Sequence, residues 1–246
     1  MRVFIGIDDT DNLESRGTGH RARMLGNYLV ELDLVNLLGV TRHQLLVSPE
    51  IPYTSHNSSA CLETECLSDA LQPVIAACRT FLLEDAAEGS DVGLCVARQE
   101  QIGEAVREFG RRAKLEVLTM QEAEELAKQE GLYLEGLTGT HGGVIGSLAG
   151  VGLRAGGSDG RYLWLKGIRE VAGSLTVTQI REQTGIEQVC TLTGRKIADD
   201  ECVWLGEWTR PVPLDGKAVL LVEEEKDHDS NEWRLLDKET IKRISN

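Results

Sequence analysis

The sequence predicts an α/β protein in which a mixed sheet under helical cover is followed by a smaller C-terminal α+β domain. Three observations predict it. Short apolar runs rich in β-branched residues alternate with stretches whose apolar residues recur every three or four positions. The first run, Arg2-Val3-Phe4-Ile5-Gly6-Ile7, stops abruptly at Asp8, Asp9 and Asp11, as a buried strand does at a sheet edge. From about Gly167 the pattern changes to short strands with a single helix, which sets a boundary between a domain over 1–166 and another over 167–246.

Each element follows in order. Asn12 to Gly19 is turn-prone, and Ala22, Leu25, Leu29 and Leu32 then mark one face of a helix. Gln44 to Ser48 reads as a second strand and Tyr53 to Leu62 as a polar segment rich in Ser and Asn. Leu67, Leu71, Ile75, Cys78 and Leu82 form a helical stripe, and Asp91 to Ala97 a buried strand. Helical spacing returns at Ile102, Val106 and Phe109. Leu115 to Thr119 reads as a short strand, and Ala123, Leu126 and Ala127 as a helix closed by Gly131. A glycine loop then enters a helix at Val144, and Gly156 to Gly160 carries an Asp-Gly hairpin signal between Leu153 and Tyr162. The C-terminal part supplies a helix at Thr178 to Gln183, strands near Val189, Val203 and Val219 to Val222, and a terminal hairpin with a helical turn. The acidic run Glu223 to Asp229 reads as a solvated loop between strands.

Composition bounds the function. With 246 residues, 41% of them hydrophobic, the chain can bury an ordinary core, and no stretch approaches a membrane span. Without a signal-peptide layout at Met1, the expected location is cytoplasmic, with no membrane partner. A net charge of −14 disfavours a broad grip on nucleic acid, so any such contact must be local. Arg16, His20, Arg21 and Arg23 form the one candidate patch, either a solvated helix face or an anion-binding surface. The six cysteines lack zinc-ribbon or thioredoxin spacing and read as reduced, mostly buried thiols. Neither a Gly-x-Ser-x-Gly elbow nor a Walker A loop is present, which argues against acyl-enzyme hydrolases and P-loop ATPases.

The chemistry concentrates in two places. Asp8, Asp9 and Asp11 are hard oxygen ligands at a strand end, suited to magnesium; the competing reading is a turn in which they cap backbone amides. Gly17-Thr18-Gly19-His20 follows and opens a helix whose N-terminus can receive phosphate. Thr138-Gly139-Thr140-His141-Gly142-Gly143 repeats that arrangement and can cradle a second part of one nucleotide, or simply feed a packed helix. His141 and His56 are candidates for proton or phosphate contacts, or plain loop residues.

Ile5-Gly6-Ile7-Asp8-Asp9-Thr10-Asp11 with Gly17-Thr18-Gly19 resembles the opening of the agmatidine synthetases, which modify a cytidine in an isoleucine tRNA anticodon. Thr138 to Ala149 resembles that family's later glycine loop, and Thr54 to Ala60 its Asn/Gly-rich segment. The resemblance covers about the first two thirds of the chain. It implies a kinase-like catalytic domain that uses ATP and magnesium, with Asp8, Asp9 and Asp11 as metal-binding and catalytic residues and His141 beside them. Joined to the loop readings above, it makes Gly17, Thr18, Gly19, His20, Thr138, Gly139, Gly142 and Gly143 the expected nucleotide-binding residues and Ser55, His56 and Asn57 the expected substrate contacts. A ferredoxin-like C-terminal domain and a shortened relative without the OB-fold and zinc ribbon complete that expectation. The acceptor is then RNA or a small molecule, and a homo-oligomer is compatible with the sequence. The alternatives are a non-catalytic nucleotide- or RNA-binding module acting through a protein partner, and a structural interaction protein.

Overall fold

The first apolar run forms β1 (Arg2–Asp8), and its surroundings explain why it reads as continuous rather than alternating. In the computed structural model, which describes residues 1–51, 57–224 and 232–246, β1 lies inside a six-stranded sheet. The strand order is β5 (Tyr133–Gly136), β4 (Gly93–Arg98), β1, β3 (Ser58–Glu65), β2 (Asn36–Gln44) and β6 (Arg161–Leu165). Val3, Ile5 and Ile7 pack on α1 (Thr18–Glu31) and α2 (Leu71–Asp85), through Ala22, Leu25, Leu29, Val74, Cys78 and Leu82. Phe4 faces the opposite layer, α3 (Glu104–Arg112), α4 (Met120–Glu130) and α5 (Val144–Gly156), which contributes Val106, Phe109, Ala123, Leu148 and Val151. Both faces are therefore covered, and neither needs polar residues.

Helix α4 begins and ends on recognisable chemistry. Thr119 Oγ1 accepts from the Glu122 amide at 3.2 Å while Glu122 accepts from the Thr119 amide at 2.9 Å, and Gly131 closes the helix at φ 68°. Replacing Thr119 with Ala is expected to cost about 1 kcal/mol, read as a lower urea midpoint at unchanged slope. Helix α5 crosses the sheet on glycines. A Cβ on Gly6 would lie 2.0 Å from the Ser147 carbonyl oxygen, and one on Gly93 would lie 2.0 Å from the Gly143 carbonyl carbon. That close approach presses the start of α5 onto the ends of β1 and β4.

A second six-stranded sheet is built from β7 (Gly173–Thr176), β8 (Gln188–Cys190), β9 (Cys202–Leu205), β10 (Val212–Leu214), β11 (Lys217–Glu224) and β12 (Glu232–Leu235). Helices α6 (Val177–Gln183) and α7 (Lys238–Ile244) accompany it. The first sheet is antiparallel throughout; the parallel pairs, β8 with β11 and β9 with β12, lie in the second. Tyr162 and Leu165 of β6 enter the second sheet's core, and the Tyr162 amide donates to the Pro211 carbonyl at 2.9 Å. Among the described residues no helix is long and apolar enough to cross a membrane.

Four expected elements differ. The second strand is Asn36–Gln44 rather than Gln44 to Ser48, and the segment expected as polar loop holds β3. Both strands turn polar side chains inward: His43 bonds Thr41 at 2.8 Å and Asp159 at 2.8 Å, Glu63 pairs with Arg154, and Thr64 donates to the Val3 carbonyl at 3.1 Å. Leu115 to Thr119 is a connection between α3 and α4 without a strand partner, and Leu115 is exposed. Gly156 to Gly160 is not a hairpin, because Leu153 belongs to α5; it is the turn into β6, with Gly157 and Gly160 at φ 81° and 80°.

Candidate functional site

The cleft lies where β1 ends. Antiparallel pairing sets Asp8 opposite Gly93, so the exit of β1 and the entry of β4 share one edge, and α5 starts over both. Asp8, Asp9, Asp11, Thr18, Asp91, Thr140, Gly142, Gly143 and Gly146 line that end. The opposite wall carries Leu45, Ile51, Val117 and Leu118, with Glu50, Asn57, Ser58 and Glu116 among them.

The acids are held differently. The Asp11 carboxylate accepts from the Thr18 amide at 3.0 Å and from Thr18 Oγ1 at 2.7 Å, tying the strand end to the first turn of α1. Thr10 Oγ1 donates to Thr18 Oγ1 at 3.1 Å, which leaves Thr18 buried and fixed. Asp9 adopts φ 49°, the left-handed region that a non-glycine residue seldom occupies. Burial pushes the Asp8 carboxyl up to about 7, with Asp9 and Asp11 adding to the rise. Burial, then Asp91 and Asp11, lifts Asp9 to about 6. A Cβ at Gly146 would sit 1.7 Å from Asp8 Oδ2, so this glycine alone lets α5 meet the carboxylate.

Six carboxylates line the cleft, and no Lys, Arg or His does so among the described residues. Nor is any group of three His, Cys, Asp or Glu there gathered closely enough to hold a metal by itself. Such a donor set suits magnesium, which takes one or two protein carboxylates and completes its shell with water and phosphate oxygens. The raised Asp8 and Asp9 carboxyls follow first from burial and then from the neighbouring carboxylates.

The other expected residues scatter. Gly17 flanks Asp11, with a Cβ there 3.9 Å from Asp11 Oδ2; Gly19 packs on Leu163; His20 lies between Arg16 and Arg23, outside the cleft. Thr138 is engaged with the lead into β4, accepting from the Val92 amide at 2.9 Å and donating to the Ser90 carbonyl at 2.6 Å. Gly139, at φ 58°, packs on the Asp91 carboxylate. His141 is exposed, packs against Gly136 and does not line the cleft. Asn57 lines the cleft and donates to the Leu46 carbonyl at 2.7 Å, whereas Ser55 and His56 lie outside the described residues.

Sequence reasoning passes over Asp91, Glu50 and Glu116. Asp91 carries a usable signal: it opens the expected strand Asp91 to Ala97, although the observed β4 begins at Gly93, and antiparallel pairing with β1 brings such a residue beside Asp8. It accepts from the Thr140 amide, and its own carbonyl accepts from the Gly143 amide at 2.8 Å, so it also shapes the glycine loop.

No model of a known protein family matches the sequence. The chain is 29% identical over 160 residues to TiaS of Pyrococcus horikoshii, the 2-agmatinylcytidine synthetase of an isoleucine tRNA, a match covering 62% of this chain and 36% of the relative. It thus spans little more than a third of that relative's length. Among solved structures, the complex of TiaS with its isoleucine tRNA and ATP is similar at 25% identity and a TM-score of 0.54, over 62% of this chain and 36% of that one. The complex of TiaS with the same tRNA, AMPCPP and agmatine gives a TM-score of 0.52 at 25% identity, over 61% and 36%. Apo TiaS, at 24% identity and a TM-score of 0.53 over 62% and 35%, agrees in fold. Sequence and fold together show that this chain resembles the catalytic domain of TiaS.

Proposed function

We propose that the chain is an ATP- and magnesium-dependent enzyme that phosphorylates an oxygen of its substrate and so activates that carbon for attack by an amine. One observation carries the reading: a glycine-lined cleft at a strand end holds six carboxylates and, among the described residues, no basic side chain. A polyphosphate is repelled by that lining unless divalent cations enter with it.

Asp8, Asp9 and Asp11 hold the metal in this reading, with Asp91 beside them. Magnesium bound there supplies charge neutralisation for the phosphates and for the transferring phosphoryl group. Gly142, at the start of α5, offers backbone close to the phosphates, while the Thr18 and Gly143 amides hold Asp11 and Asp91 in place, and both helix dipoles favour anions at that end. Leu45, Ile51, Val117 and Leu118 give an apolar wall for a base. In the first step the substrate oxygen takes the γ-phosphoryl group and ADP leaves. In the second an amine forms the new bond to carbon, and inorganic phosphate departs with the oxygen.

The resemblance to TiaS makes a cytidine in RNA the first acceptor to test and agmatine the first amine. Purified protein with ATP, magnesium, a cytidine-containing RNA and agmatine is expected to release phosphate in proportion to modified RNA. ATP binding with no turnover under any acceptor would instead assign a non-catalytic nucleotide-binding module.

A further inference from the structure

Within a chain of net charge −14, one face is basic. Arg16 and Arg23 flank His20, with Arg16 Nη1 3.5 Å and Arg23 Nη2 3.3 Å from its ring nitrogens. The packing of Gly19 on Leu163 brings this part of α1 to β6, and the Tyr162–Pro211 hydrogen bond brings the segment before β10 to the same strand. Arg169, just beyond β6, and Arg210, just before β10, thereby join the cluster. Two of them have a lowered pKa: Arg210 by burial and then by Arg169, Arg23 and Arg161, and Arg23 by burial and then by Arg169 and Arg16.

None of Arg16, Arg23, Arg169 and Arg210 is ion-paired with a carboxylate among the described residues. Asp85 pairs with Arg21 at 2.9 Å, and Glu170 accepts from the backbone amide of Arg169 at 3.2 Å rather than from its guanidinium. With 40 acids to 26 bases in the chain, four guanidiniums gathered without an acid partner are not what chance placement gives. Their mutual repulsion is relieved by a polyanion. The groups come from α1 and the loop leading into it, from the turn after β6 and from the approach to β10, so they match successive phosphates along a chain better than one compact anion. Guanidinium is the side chain that pairs with phosphate through two parallel bonds. Arg210 also lies 5.3 Å from the Trp208 ring centroid, with Lys238 6.0 Å from the same ring.

We infer that the face formed by Arg16, Arg23, Arg169 and Arg210 binds the sugar-phosphate backbone of an RNA strand. Thr18 in the cleft and Arg23 on this face belong to the first two turns of α1, and Arg16 lies just before them, so a strand held here passes the mouth of the acidic cleft. The inference rests on the proposed activity only in naming RNA as the carrier of the acceptor; binding is measured without ATP, so the two readings fail separately.

The test is fluorescence anisotropy with a labelled single-stranded RNA of about twenty nucleotides, across a salt series. Four phosphate contacts predict an affinity loss of roughly fifty-fold between about 50 and 200 mM salt. Arg16→Glu/Arg169→Glu, at two exposed positions, is expected to weaken binding at least about tenfold and flatten the salt slope, with an unchanged melting temperature. Arg111→Glu/Arg112→Glu, on α3, should bind as the wild type does. Absence of RNA binding at the low-salt end, an undiminished affinity of the first variant, or equal competition by polyglutamate of matched charge would each overturn the inference.

Discussion

Asp8→Asn is expected to abolish magnesium-dependent nucleotide binding while making the metal-free protein more stable. The two effects share one cause. A carboxyl held at about 7 in the fold and 3.8 when unfolded binds its proton more tightly in the folded state. Its ionisation therefore opposes folding: the penalty is absent below about pH 4, grows between about pH 4 and 7, and is complete above about pH 7. The shift corresponds to about 4 kcal/mol at most, and coupling among the neighbouring acids reduces it. Asparagine removes that penalty, so the variant's melting temperature should exceed the wild type's at about pH 8 and converge with it near pH 4. Loss of a metal ligand should cost at least about a hundredfold in magnesium-dependent nucleotide affinity, since even residues that only orient ligands cost roughly 10–100-fold. A variant that is neither stabilised in mild alkali nor impaired in binding would show that Asp8 is an ordinary turn residue.

Gly6→Ala is expected to be strongly destabilising. The new Cβ would lie 2.0 Å from a backbone oxygen of α5 and 2.9 Å from Val151 Cγ2, and a helix backbone cannot give way as a flexible side chain can. The helix must retreat, at a cost of about 3 kcal/mol, the upper end for overpacking. Retreat also withdraws Gly143 and Gly146 from Asp8, so the folded fraction should bind nucleotide more weakly. Gly156→Ala is the matched control. It lies in the same helix with nothing within 4 Å of its Cβ position, and should stabilise by about 0.5–1 kcal/mol. Chemical denaturation of both variants measures the difference; equal stabilities would show that the Gly6 contact does not hold α5 in place.

The parts legible in the sequence are those where burial follows side-chain polarity. The run from Val3 to Ile7 is apolar because both its faces are covered, and its end at Asp8 is visible for the same reason. Helices α1, α2 and α5 also show, since their apolar stripes fill the two layers. Strands β2 and β3 do not show, because Thr41, His43, Glu63 and Thr64 are buried with partners distant in sequence: His43 finds Asp159 and Glu63 finds Arg154. A buried polar residue satisfied from afar looks like a surface residue until the fold is known. The site divides in the same way. Asp8, Asp9, Asp11 and Thr18 are close in the chain and readable together, whereas Asp91 joins them only through strand pairing. The arginine face is less legible still: Arg169 and Arg210 meet Arg23 through the join between the sheets.

The central claim is that the acidic cleft takes nucleotide phosphates only in company with a divalent cation. Calorimetric titration of ATP into the purified protein, with magnesium and with EDTA, tests it most directly. The account predicts saturable binding with magnesium that disappears in EDTA. Equal binding in both conditions, or none in either, would contradict it.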